Sequence, residues 1–167
     1  RSYSVTGVQT CALPILTADQ IPEVVRKNGT KIKIICGEID GVQGPVRDIK
    51  INPSYFDITM PEESTFNYQF PENYTCFAYV IEGAACFDGA SLKNNTASTP
   101  QSILLFDKAE SLSISTLTHS TRFLLVSGKP LNEPIAWWGP IVMNTQDELD
   151  IAFKEYRNGT FIKYQKK

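Results

Sequence analysis

Short runs of alternating apolar and polar residues, cut by turn residues, fill most of the chain. Lys31-Ile32-Lys33-Ile34-Ile35-Cys36 alternates and predicts a half-buried strand that Gly37 ends. Gly41, Gly44 and Pro45 then mark a loop, and Ser54 to Met60 predicts a second strand, rich in aromatic and β-branched residues and stopped by Pro61. Cys76 to Ile81 is the most apolar strand, closed by Glu82-Gly83, and Ala84 to Phe87 is expected to return antiparallel beside it. Ser91 to Pro100 is polar and turn-rich, a surface loop. Three more strands are expected at Ser102 to Phe106, Ser111 to Leu117 and Arg122 to Val126, with Leu112, Ile114 and Thr116 on one face of the middle one. Short strands separated by frequent turns make an antiparallel sandwich or barrel, an all-β class.

The pattern changes near the end. Thr145-Gln146-Asp147-Glu148 fits a capping box, in which the Thr hydroxyl and the Glu carboxylate satisfy opening backbone N–H groups. Leu149, Ala152, Phe153 and Tyr156 follow at helical spacing, and Asn158-Gly159 supplies a stop. One amphipathic helix over about 146–157 therefore closes the domain.

Composition narrows the reading. The 167 residues are 42% hydrophobic and 20% charged, which suits one globular domain with a real core. A net charge of −2 gives no general attraction to nucleic acid or anionic membranes. No apolar run approaches the ~18–20 residues that span a bilayer. Cys11, Cys36, Cys76 and Cys86 show no C-x-x-C spacing and no disulfide framework, so reduced thiols and a cytoplasmic location are expected, with the nucleus open for a eukaryotic source. Asn28, Asn73, Asn94 and Asn158 head N-x-T triplets, but no secretory signal accompanies them and they are read as chance composition.

The first methionine is Met60, and the run Val5 to Ile15, VTGVQTCALPI, resembles the translation of a DNA sequencing adapter. Residues 1–15 are therefore read as an artefact that contributes nothing to folding, residues 16–161 as the domain and residues 162–167 as a tail.

The segment from Phe123 to Pro134, FLLVSGKPLNEP, resembles a motif of the pirin family, and Gly139-Pro140-Ile141-Val142-Met143-Asn144-Thr145 resembles that family's second signature, with Ile141 where Phe is usual. Ile35 to Glu38, Gly41 to Val46 and the strand Phe77 to Gly83 are similar to the family's second cupin domain. The resemblance implies a cupin (RmlC-like) antiparallel jelly-roll barrel with one C-terminal amphipathic helix. It implies further that the chain is the C-terminal half of a two-cupin protein whose N-terminal cupin holds iron through histidines and a glutamate. Its parent would then be a quercetin 2,3-dioxygenase-like enzyme acting on a flavonol, or a non-enzymatic, iron-sensing protein that binds transcription regulators. A stand-alone cupin that binds a small ligand is the third alternative. The expected partner in every bicupin reading is the protein's own N-terminal cupin; contact with nucleic acid or membrane is not expected.

This half is not expected to hold a metal. A cupin site needs several histidines and a glutamate, ligands that suit non-haem iron, and His119 is the sole histidine. Counting back seven from Gly83 puts Cys76 where a cupin has its Glu, Leu112 falls near the third His, and Tyr68 to Glu72 contains no His. His119, between two strands, reads as an exposed turn residue. Glu72 with Cys76 reads as a loop carboxylate and a buried thiol, not as a reactive pair. Trp137-Trp138 reads as inter-domain packing before it reads as a free contact surface. No catalytic, cofactor-binding or metal residue is assigned, and no glycine-rich phosphate loop is present.

Overall fold

A computed structural model describes residues 16–88, 98–106 and 111–163, which divide into two compact units, 16–130 and 131–163. The adapter-like segment, Cys11, Asn94, most of the predicted loop from Ser91 and the end of the tail lie outside these residues.

The first unit opens with a 3-10 turn at Ala18–Gln20. Its strands are β1 (Glu23–Val25), β2 (Lys31–Cys36), β3 (Glu38–Ile39), β4 (Val42–Gln43), β5 (Ser54–Met60), β6 (Thr65–Gln69), β7 (Thr75–Glu82), β8 (Ala85–Asp88), β9 (Ile103–Phe106), β10 (Ser111–Thr116) and β11 (Thr121–Gly128). A six-stranded sheet runs β1-β2-β5-β11-β7-β9 and a three-stranded sheet runs β6-β10-β8, all pairs antiparallel. The predicted bounds of β2 and β5 hold to the residue. The predicted loop after Gly37 contains a small hairpin, β3 to β4, turned by Asp40 (φ 52) and Gly41 (φ 78), both left-handed as a two-residue hairpin turn requires.

One expected pairing is overturned. β8 does not lie beside β7; it pairs with β10 in the other sheet, and β7 is flanked by β11 and β9. The chain changes sheets at Gly83, which has φ 75 and stands so close to β11 that an added Cβ would lie 2.0 Å from the Ser120 carbonyl oxygen. Only glycine fits there.

The inner faces of the two sheets make the core. Alternation turns Ile32, Ile34, Phe56, Ile58, Ala78, Val80, Phe123 and Leu125 inward from the large sheet, against Phe66, Leu112, Ile114 and Phe87 from the small one. Phe123 sits edge-on to Phe87 at 5.3 Å and to Phe66 at 6.5 Å, so one ring ties the large sheet to both edge strands of the small one.

The second unit is a hairpin, β12 (Ala136–Trp138) with β13 (Ile141–Met143), and the helix α1 (Gln146–Arg157). Thr145 Oγ1 accepts from the Glu148 N–H, and Glu148 reaches back to the Thr145 N–H at 3.1 Å, the expected capping box. Gly159 (φ 71) ends the helix. Of the predicted helical face, Leu149 and Ala152 are buried, Phe153 is half-buried and Tyr156 is exposed.

Candidate functional site

At one end of the barrel the inward row across the large sheet turns from apolar to polar. Ser54 pairs with Ser127, Ser127 with Cys76, and Cys76 with Phe106, so the four side chains line up across β5, β11, β7 and β9. From the small sheet, Tyr68 pairs with Leu112, and the Tyr68 hydroxyl donates to Ser54 Oγ at 3.2 Å, bridging the two sheets. The Phe70 ring lies edge-on to Tyr68 at 4.9 Å. Cys76, Leu112 and Phe70 are buried in one core, with Tyr68 packed against it.

The chemistry of this end is neutral. Burial pushes the Cys76 thiol up to about 12, so it stays protonated and is neither a nucleophile nor a ready ligand. Burial also raises the Tyr68 hydroxyl, partly offset by its bond to Ser54. The Cys36 thiol, raised by burial against a backbone hydrogen bond, donates to the Pro53 carbonyl at 3.4 Å. Ser127, 3% exposed, has no hydrogen-bond partner for its Oγ. Among the described residues no group of three or more His, Cys, Asp or Glu is placed to hold a metal. The residues here do not fit iron: nitrogen and carboxylate donors are replaced by a protonated thiol, hydroxyls and hydrocarbon.

The other singled-out residues lie apart. His119 is exposed in the turn between β10 and β11, with Nδ1 2.8 Å from Thr118 Oγ1. Glu72 is exposed while Cys76 is enclosed, so the two form no pair. Trp137 and Trp138 are 71% and 70% exposed on β12, and the Trp137 indole N–H donates to the Gly139 carbonyl at 2.7 Å. Trp138, Leu149 and Phe153, with Asp150, Lys154 and Arg157, line a groove of about 610 Å³ within the second unit. Ser54, Ser127 and Tyr68 were not singled out by sequence. Continuing the alternation of Phe123 and Leu125 places Ser127 inward, so the signal was present.

Comparison with known proteins places this geometry. The pirin C-terminal cupin domain profile matches residues 55–162. A Thermoplasma acidophilum protein, named provisionally as a quercetin 2,3-dioxygenase, is 32% identical over 155 residues, covering 89% of this chain and 57% of that protein. Pirin-1 of Arabidopsis thaliana is 34% identical over 145 residues, 86% of this chain and 49% of its own. The crystal structure of a quercetin 2,3-dioxygenase from Acinetobacter baumannii superposes with a TM-score of 0.75 at 26% identity, over 87% of this chain and 49% of that one. The chain spans about half the length of the curated relatives it matches. No described helix is long and apolar enough to cross a membrane. With an antiparallel cupin barrel, one C-terminal helix and these matches, the chain belongs to the pirin family, as a C-terminal cupin domain related to quercetin 2,3-dioxygenases.

Proposed function

We propose that this chain is the metal-free structural half of a two-cupin, pirin-type protein, whose other half holds iron and performs quercetin 2,3-dioxygenase-like chemistry on a flavonol. The observation that carries the reading is the replacement of the cupin ligand positions by a packed core of Cys76, Phe70 and Leu112. The reaction class is supported by the names of the relatives, and the division into halves by their length. Elemental analysis after Fe(II) loading is expected to find far less than one iron per chain here, and about one per molecule in the intact two-cupin protein. Stoichiometric iron on this chain overturns the reading. Flavonol cleavage by the intact protein, absent from the chain alone, supports the oxygenase; iron binding without turnover moves the parent to an iron-sensing interaction protein.

A second reading, a small-ligand module, is favoured by the unpartnered Ser127 hydroxyl beside the protonated Cys76 thiol. That end of the barrel would take a neutral ligand bearing a carbonyl or hydroxyl, since a charged one would meet no counter-charge there. A panel of neutral phenols and enols that leaves Tm unmoved removes this reading.

A further inference from the structure

The tripeptide Asn-Gly-Thr occurs twice, at Asn28-Gly29-Thr30 and at Asn158-Gly159-Thr160, and a basic residue precedes each copy, Lys27 and Arg157. An Asn-Gly step carries its own chemistry. The glycine nitrogen, unhindered by a Cβ, can attack the amide carbon of the preceding asparagine. Because the flanking residues match, a difference between the copies comes from the fold. The first copy turns the chain between β1 and β2 and is clamped. Asn28 Nδ2 donates to the Thr65 carbonyl at 2.8 Å, and Asn28 Oδ1 accepts from the Thr30 N–H at 3.1 Å. The Gly29 N–H donates to the Arg26 carbonyl at 2.9 Å, and Thr30 is fully buried. Attack there needs these bonds to break together, which separates the turn from β6. The second copy ends α1. Asn158 and Gly159 are exposed, and among the described residues no hydrogen bond holds the Asn158 side chain. The Gly159 N–H donates to the Tyr156 carbonyl at 3.2 Å and the Thr160 N–H to the Glu155 carbonyl at 2.9 Å, the paired bonds of a Schellman ending. Terminal turns of helices fray. Opening this one turn frees both the Gly159 nitrogen and the ψ of Asn158, which is −1° when the turn is closed.

We propose that Asn158 is a self-modifying site that loosens the end of α1, and that the fold keeps the matching Asn28 inert. The Gly159 nitrogen forms a bond to the Asn158 side-chain amide carbon, and the bond from that carbon to the amide nitrogen breaks. Ammonia leaves with the proton that the Gly159 N–H gives up, and a cyclic imide remains. Water then adds to one imide carbonyl, and the bond from that carbon to the Gly159 nitrogen breaks. Opening on one side yields aspartate; opening on the other yields an isoaspartyl link, whose main chain runs through the former side-chain carbons. Water is the sole co-reactant. The lengthened main chain carries the Gly159 and Thr160 N–H groups away from the Tyr156 and Glu155 carbonyls that they now reach. Either product also sets a carboxylate at the negative end of the helix dipole. The contacts beyond the turn depend on it: Phe161 lies edge-on to Tyr156 at 6.3 Å, and Lys163 pairs with Glu155. The site uses nothing of the barrel and is independent of the two-half reading above.

The test incubates the 167-residue chain at mildly alkaline pH, once folded and once in urea, and follows both sites by peptide mass spectrometry after an acidic digest. In the folded chain Asn158 is expected to convert at least about tenfold faster than Asn28, because two side-chain hydrogen bonds must break at Asn28 alone. In urea the two rates are expected to converge. A folded chain in which Asn158 converts no faster than Asn28 overturns the proposal. So does a gap of the same size in urea, since the difference then lies in the sequence and not in the fold. The aged chain, separated from the parent by ion exchange, is expected to show faster amide hydrogen exchange at Gly159 and Thr160, with β2, β5, β7 and β11 unchanged. Equal exchange at the helix end in aged and parent chains overturns the loosening of α1.

Discussion

Burial sets the chemistry of Cys76. Its thiol titrates near 9 when unfolded and at about 12 when folded. Because the folded state keeps the proton longer, the stability this supplies is intact below pH 9 and declines as pH rises from 9 towards 12. The slope is about 1.4 kcal/mol per pH unit for one such group. Urea denaturation at pH 8 and pH 10 is expected to show a steeper alkaline loss for the parent chain than for Cys76→Ala; equal losses would refute the assignment. Phe123→Ala should destabilise by about 3–5 kcal/mol, because this fully buried ring touches Phe66 and Phe87; equilibrium unfolding reads it directly. Cys76 was legible in the sequence because its spacing from Gly83, where only glycine fits, is a local count. The Tyr68–Ser54 bridge was not, since 14 residues and a change of sheet separate its partners.

Local signals also decide which elements can be read. Helix α1 is encoded by its own cap and periodicity, and its observed bounds are those expected. Thr145→Ala removes the hydroxyl that accepts from Glu148 and is expected to cost about 1 kcal/mol, seen as greater amide exchange in the first turn. Strand existence is similarly local, and β2, β5, β9 and β11 were all foreseen to within a few residues. The alternation of Phe66 and Tyr68 in β6 was equally legible, though no strand was expected there. Strand partnership is different. The alternation in β8 suits either sheet, and only the bend at Gly83 assigns it to β10. Gly83→Ala would drive a methyl into the Ser120 carbonyl and is expected to destabilise by more than about 1 kcal/mol, measurable as a fall in the urea midpoint. The β12–β13 hairpin escaped notice because its Trp137-Trp138 pair shows no alternation into a core.

At the level of the whole molecule, the all-β class was readable because it depends on the period of the apolar positions. The outward apolar row Leu105, Phe77, Val126 and Tyr55 across β9, β7, β11 and β5 was not. In sequence its residues merely make β7, β9 and β11 more hydrophobic, and telling inner from outer apolar positions requires the register of four strands. The same region has a bearing on handling the chain. β9 ends the large sheet among the described strands, and its Ile-Leu-Leu-Phe sequence carries no charge, proline or bulge to discourage addition of a further strand. Detached from a covering domain, such an edge is a nucleus for precipitation. Losses during overproduction would then scale with concentration instead of with unfolding, and Ile103→Lys would slow the rise of turbidity while leaving the melting curve where it was.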